Sequence, residues 1–166
     1  MSKSRFSPRE LALAGIIAGI YAGLTLILPI PQYHGIQLRV AEAMTLLPFL
    51  IPAAVPGLAM GCFLANLLGS PFVLDWIFGT LATLLAALWT RRMPNKWLAA
   101  LPPVLCNAVI VGAEIAYFTL VDGGAFWAAY GLNALTVGLG ECIACFALGI
   151  PLVNWLAKTP IVKKSV

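Results

Sequence analysis

Apolar runs follow one another along this chain from Glu10 to Leu156, separated only by short stretches of proline, glycine and charged residues. That pattern leaves little choice of fold. A bilayer-spanning helix takes about 20 apolar residues, and in lipid every backbone polar group must find its partner within the protein. A chain of 166 residues has room for about six such helices and for no soluble catalytic or nucleotide-binding domain. The composition agrees: only 10% of residues are charged, against about a quarter in soluble domains. Lys3, Arg5 and Arg9 ahead of the first run resemble the start of a signal peptide. Comparable runs continue to the C-terminus, so the first one reads as a retained helix. No repeat or linker divides residues 1–166, which read as a single integral membrane domain.

The expected spans are Glu10 to Leu28, a proline-interrupted segment from Val40, Gly57 to Leu68, Leu74 to Thr90, Ala99 to Leu120, and Trp127 to Leu156. Pro48, Pro52 and Pro56 make the second segment short or kinked, and the third has about a dozen residues, too few to cross alone. Such segments belong inside a bundle, where protein shields irregular backbone. Three basic clusters, at Lys3 to Arg9, Arg91 to Lys96 and Lys158 to Lys164, fall on one side of a six-span chain. By the positive-inside rule that side, with both termini, is expected in the cytoplasm. Only Arg39 of the ten basic residues is left for the outside. The net charge of +4 therefore sits in membrane-flanking clusters and does not point to nucleic acid.

The acids fall the other way. Glu42, Asp75, Glu114, Asp122 and Glu141 lie outside or in the outer part of the bundle. Glu114 is expected roughly 9 Å and Glu141 roughly 20 Å from the outer helix ends, depths at which a charge faces a cavity or a partner. Amides accompany them: Asn107 lies within roughly 20° of Glu114 on its helix, and Asn133 within roughly 80° of Glu141. Asn66 closes the third span on the same side. This set accepts hydrogen bonds from a donor-rich, cationic ligand. Tyr117, Trp127, Tyr130, Phe72 and Trp76 lie at similar depth and suit stacking on a planar ring. Each residue also has a plainer reading, as a hydrogen bond between helices or as part of the interfacial aromatic belt.

On the first helix Ala14, Ala18 and Ala22 recur every fourth residue, as do Gly15, Gly19 and Gly23. Such rows admit a closely packed helix, either from this bundle or from a membrane partner. Cys142 and Cys145 have a redox-like spacing, but Cys62 and Cys106 lack companions and His34 is the sole histidine. A metal centre or other cofactor has no support in that set, and no nucleophile–base pair or phosphate loop can be assembled. An enzyme is not expected.

Several segments resemble the QueT family: Leu38-Arg-Val-Ala-Glu-Ala-Met-Thr-Leu-Leu-Pro48, Pro56-Gly-Leu with Ala65-Asn-Leu-Leu-Gly69, Gly79-Thr-Leu-Ala-Thr-Leu84, Leu101-Pro-Pro with Asn107, and Gly138-Leu-Gly-Glu141. These are substrate-binding S-components of energy-coupling factor (ECF) transporters, assigned to queuosine precursors. The resemblance implies an all-α, six-helix bundle in the cytoplasmic membrane with an outward-facing site. It also implies a transmembrane coupling protein docked on the Ala14, Ala18 and Ala22 face, and two separate ATPases. The implied ligand is a deazaguanine, its aminomethyl form or nitrile. Glu114 and Glu141 would take the base edge and the aminomethyl cation, and Asn107 and Asn133 the carbonyl and amino groups. Tyr130 or Trp127 would stack on the ring, and Arg39 with Glu42 would hold or close the first outer loop. Two rivals stand beside it: an S-component for another vitamin-like molecule, and a stand-alone transporter with Glu114 and Glu141 as proton carriers.

Overall fold

The computed structural model describes residues 7–28, 39–121 and 123–159. The expected outer loop before Arg39 with His34, Asp122, Lys3, Arg5, Lys163 and Lys164 lie outside them. The described residues form helices and no strand. They are α1 (Pro8–Ile27), a 3-10 helix (Val40–Phe49), α2 (Ala54–Gly69), α3 (Val73–Thr90), the single turn α4 (Lys96–Ala99), α5 (Leu101–Val121), α6 (Phe126–Cys142), a π-helical stretch (Ile143–Gly149) and α7 (Ile150–Leu156). Four units are long and apolar enough to cross a membrane: α1, α3, α4 with α5, and the continuous rod Phe126–Leu156. The two shorter apolar helices are the 3-10 helix, with Pro48 inside it, and α2, with Pro56 in its first turn.

Local chemistry explains the ends. Ser7 and Glu10 form a reciprocal capping box at the start of α1, with Pro8 in the first turn, where its missing N–H costs nothing. Asn95 caps α4 by accepting from Leu98 N at 2.9 Å. Pro102 and Pro103 fall in the first turn of α5 for the same reason as Pro8. In the last rod, Pro151 cannot donate to its i−4 carbonyl and its ring crowds it. The wider π turns of Ile143–Gly149 lie directly before that proline, which is where a helix must give.

The 3-10 helix organises the bundle. Its ten residues rise about 2.0 Å each, about 20 Å in all, so it carries the chain back across the protein. Ala41 to Pro48 are buried without a break, and residues three apart eclipse one another. Ala41, Met44 and Leu47 therefore join one core with Tyr21, Leu58 and Cys62. Leu46 joins a second core with Ala100, Cys145 and Ile150. The row of Glu42 and Thr45 is polar.

That return crossing leaves α1 and α2 running parallel. A Cβ on Gly57 would lie 2.7 Å from Ala14 O, and one on Gly61 2.9 Å from Ala18 O, so the contacts advance together along both helices. Ala14, Ala18 and Ala22 are buried in this seam. Of the two readings of this row, the described residues display packing within the bundle: the glycines of α2 let that face close within the chain. Gly15, Gly19 and Gly23, about 100° round α1 from that row, would meet nothing within 4 Å on gaining a Cβ. Cys62 pairs with Thr83 and Asn66 with Asp75, so α3 runs antiparallel to α2. Thr90 bonds Ala99 O, and Lys96 bonds Asn154. These ties gather Arg9, Arg91, Arg92, Lys96 and Lys158 at one end, hereafter the basic end. Arg39 and Asp75 lie toward the other.

Candidate functional site

Glu42 sits in the first turn of the 3-10 helix and is buried. Its Oε1 accepts a hydrogen bond from the fully buried Tyr21 hydroxyl of α1. The backbone carbonyl of the same residue accepts from Thr45 Oγ1 at 2.6 Å. Cys145, from the π-helical stretch, places Sγ 3.8 Å from that carbonyl and 3.9 Å from Glu141 Oε2. A polar chain thus runs from α1 through the 3-10 helix to the last rod: Tyr21, Glu42, Thr45, Cys145, Glu141. Gly149 permits the approach, since a Cβ there would stand 3.0 Å from Ala43 O.

Asn107 of α5 lies alongside the Glu141 carboxylate, and one helical face further along Glu114 adjoins Asp75 of α3. Arg39 is buried and lies within electrostatic reach of Glu42, Glu114 and Glu141. Three buried carboxyls from three elements therefore lie around a buried guanidinium, and Asp75 of α3 joins them through Glu114. Several of their atoms make no hydrogen bond of good geometry: Glu42 Oε2, both Glu114 oxygens, whose neighbour is Asp75, and Asn107 Nδ2, whose neighbour is Glu141. A buried polar atom without a partner costs about 1–3 kcal/mol, and a concentration of such atoms in one region marks a place built to receive donors and an acceptor.

Glu114 also forms the polar wall of a cavity of about 410 Å³, within the roughly 300–1,000 Å³ range of small-molecule sites. Its other walls are Leu74 and Phe78 of α3, Ala113 and Tyr117 of α5, and Phe126 of α6. Tight packing shapes it. Gly112 on α5 lies so close to Ala134 on α6 that a Cβ would be 2.9 Å from Ala134 Cα.

The structure sorts the residues expected from sequence into groups. Glu42, Glu114, Glu141, Asn107, Arg39 and Asp75 come together as described. Asn66 is fully buried but braces α2 against α3: Nδ2 donates to Asp75 O at 2.9 Å. Asp75 accepts from Ser70 Oγ, which ties the same turn. Asn133 is half-buried on α6, and its carbonyl accepts from Thr136 Oγ1. Tyr130 stacks parallel to Phe126 with centroids 6.0 Å apart, so it backs a cavity wall. Trp127 is 78% exposed and points away; one residue is about 100° of helix, and that rotation puts Phe126 at the cavity instead.

Sequence reasoning missed Tyr21, Phe126, Phe78, Thr45 and Cys145. For Tyr21 there was a signal: a hydroxyl in the middle of an apolar helix needs a buried partner. For Phe126 and Phe78 there was none, because an apolar side chain in a membrane helix faces lipid as readily as a cavity. Among the described residues no cluster of histidine, cysteine and carboxylate could hold a metal ion.

Among known families, the model for the QueT transporter fits residues 11–158. Among curated proteins and among solved structures nothing matches the chain.

Proposed function

Because the chain belongs to the QueT transporter family and is a multi-pass membrane protein, we propose that it is the substrate-capturing S-component of an ECF importer for a deazaguanine precursor of queuosine. The observation that carries the reading is the set of buried acceptors without a well-formed hydrogen bond, Glu42 Oε2 and the two Glu114 oxygens, beside Asn107 Nδ2. Four carboxyls against one guanidinium suit a ligand rich in N–H donors and bearing a cation, and disfavour an anionic vitamin. A guanine-like edge offers adjacent donors that one carboxylate accepts in parallel. The aminomethyl group supplies the cation for a second carboxylate.

In this reading Glu114 and Glu141 are the two recognising carboxylates, Asn107 reads the ring carbonyl, and Tyr117 with Phe126 stacks on the ring. Arg39 balances the charge when the ligand is absent. The basic end faces the cytoplasm. The coupling protein docks on the open glycine row of α1, Gly15, Gly19 and Gly23. Two separate ATPases supply the energy. A stand-alone proton-coupled carrier is the second reading, favoured by the continuous polar chain from Tyr21 to Glu141.

Uptake of labelled aminomethyl-deazaguanine into vesicles separates the two. The proposal expects accumulation only with a coupling protein, ATPases and ATP. Accumulation driven by a proton gradient with this chain alone would replace it with the second reading.

A further inference from the structure

At the basic end a second cavity, of about 320 Å³, is lined by Leu88, Arg91 and Arg92. Both arginines are exposed. Among the described residues Glu10 is the only carboxylate at this end, and its Oε2 already accepts from the backbone N–H and hydroxyl of Ser7. Two guanidiniums therefore share a cavity with no acid of the described chain to neutralise them.

The surface leading to that cavity is apolar and continuous. Leu81, Leu85 and Leu88 are all exposed, and their spacing places them on one stripe of α3 that leads to Arg92 just past the helix end. From Leu81 to Arg92 the stripe runs about 16 Å at 1.5 Å per residue, the scale of one hydrocarbon leaflet. Trp89, Trp97 and Trp155 are exposed at the same level, where indole rings mark the headgroup boundary. The Lys96–Asn154 and Thr90–Ala99 bonds hold α3, α4 and α7 together there.

We infer that Arg91 and Arg92 form a binding site for the phosphate of an anionic phospholipid, with one acyl chain lying along Leu88, Leu85 and Leu81. Guanidinium groups pair with phosphate oxygens through parallel N–H donors, and the apolar stripe supplies what free phosphate lacks. The site is independent of the polar cluster around Glu42 and Glu114 and of any ligand bound there.

The test uses the full chain purified in a neutral detergent and counts bound lipid by native mass spectrometry as phosphatidylglycerol or phosphatidylcholine is added. At about 1 kcal/mol per cation near an anionic surface, the double variant Arg91→Gln/Arg92→Gln is expected to bind phosphatidylglycerol about thirtyfold more weakly. The charge-matched control Arg9→Gln/Lys158→Gln should lose less than threefold. Quenching of tryptophan fluorescence by phosphatidylglycerol brominated near the headgroup should fall with the first pair and not the second. Equal losses in both pairs would reduce the site to general charge attraction. Phosphatidylcholine binding as tightly as phosphatidylglycerol, or competition by inorganic phosphate alone, would also overturn the proposal. Unchanged lipid binding with weakened assembly onto a coupling protein would reassign the patch to a protein partner.

Discussion

The seam between α1 and α2 decides which face of α1 is available outside the bundle, and the double substitution Gly57→Ala/Gly61→Ala tests it. New Cβ atoms would stand 2.7 Å from Ala14 O and 2.9 Å from Ala18 O, both backbone atoms that move only if the helices separate. Overpacking of this kind costs about 1–3 kcal/mol per site, and the better helix propensity of alanine returns about 1 kcal/mol. The net cost is about 1 kcal/mol per glycine, about 2 kcal/mol for the pair. At about 2–4 °C per kcal/mol for a chain of this size, thermal unfolding of the purified protein should shift down by about 4–8 °C. The control is Gly15→Ala/Gly19→Ala, where a Cβ meets nothing within 4 Å; its Tm should hold or rise by a few degrees. The reverse pattern, with the α2 glycines tolerant and the α1 glycines sensitive, would mean that α1 is turned the other way, with its alanine row facing outward.

Other outcomes follow from the same contacts. Tyr21→Phe leaves Glu42 Oε1 without its buried donor and should lower stability by about 1–3 kcal/mol, read as a drop in Tm. If the ligand stacks where proposed, Phe126→Ala should weaken its binding by about 1–3 kcal/mol, measured as Kd, whereas Trp127→Ala should leave Kd within about twofold. Gly79→Val would press on Asn66 Nδ2, which already lies 2.6 Å from where a Cβ would be; loss of the Asn66–Asp75 bond should cost about 1–3 kcal/mol in a denaturation series.

Much of the architecture was legible because membrane physics writes itself into local sequence. Long apolar runs, basic ends and prolines each act over a few residues, so the spans were found to within a turn or so. The burial of Glu114, Glu141 and Asn107 was legible too, since depth along a helix is simple to count. What sequence could not resolve was rotation about each helix axis. Two rows of small residues on α1 look alike until Gly57 and Gly61, far along the chain, select one. Trp127 and Phe126 are neighbours in sequence but lie about 100° apart around α6. The partnership of Tyr21 with Glu42 depends on a 3-10 helix threading the bundle, and the proline pattern announced only that this segment would be irregular.

The central claim is that Glu42, Glu114, Glu141 and Asn107 form a receptor for a donor-rich, cationic base, and calorimetric titration of the detergent-purified protein with aminomethyl-deazaguanine tests it most directly. The nitrile form, guanine and a panel of vitamins serve as comparators. The account predicts saturable one-to-one binding of the aminomethyl form, weakened about tenfold or more in Glu114→Gln and in Glu141→Gln, as loss of a charged hydrogen bond of about 1.5–3 kcal/mol requires. Binding of an anionic vitamin in preference to every deazaguanine, or deazaguanine binding indifferent to both substitutions, would contradict it.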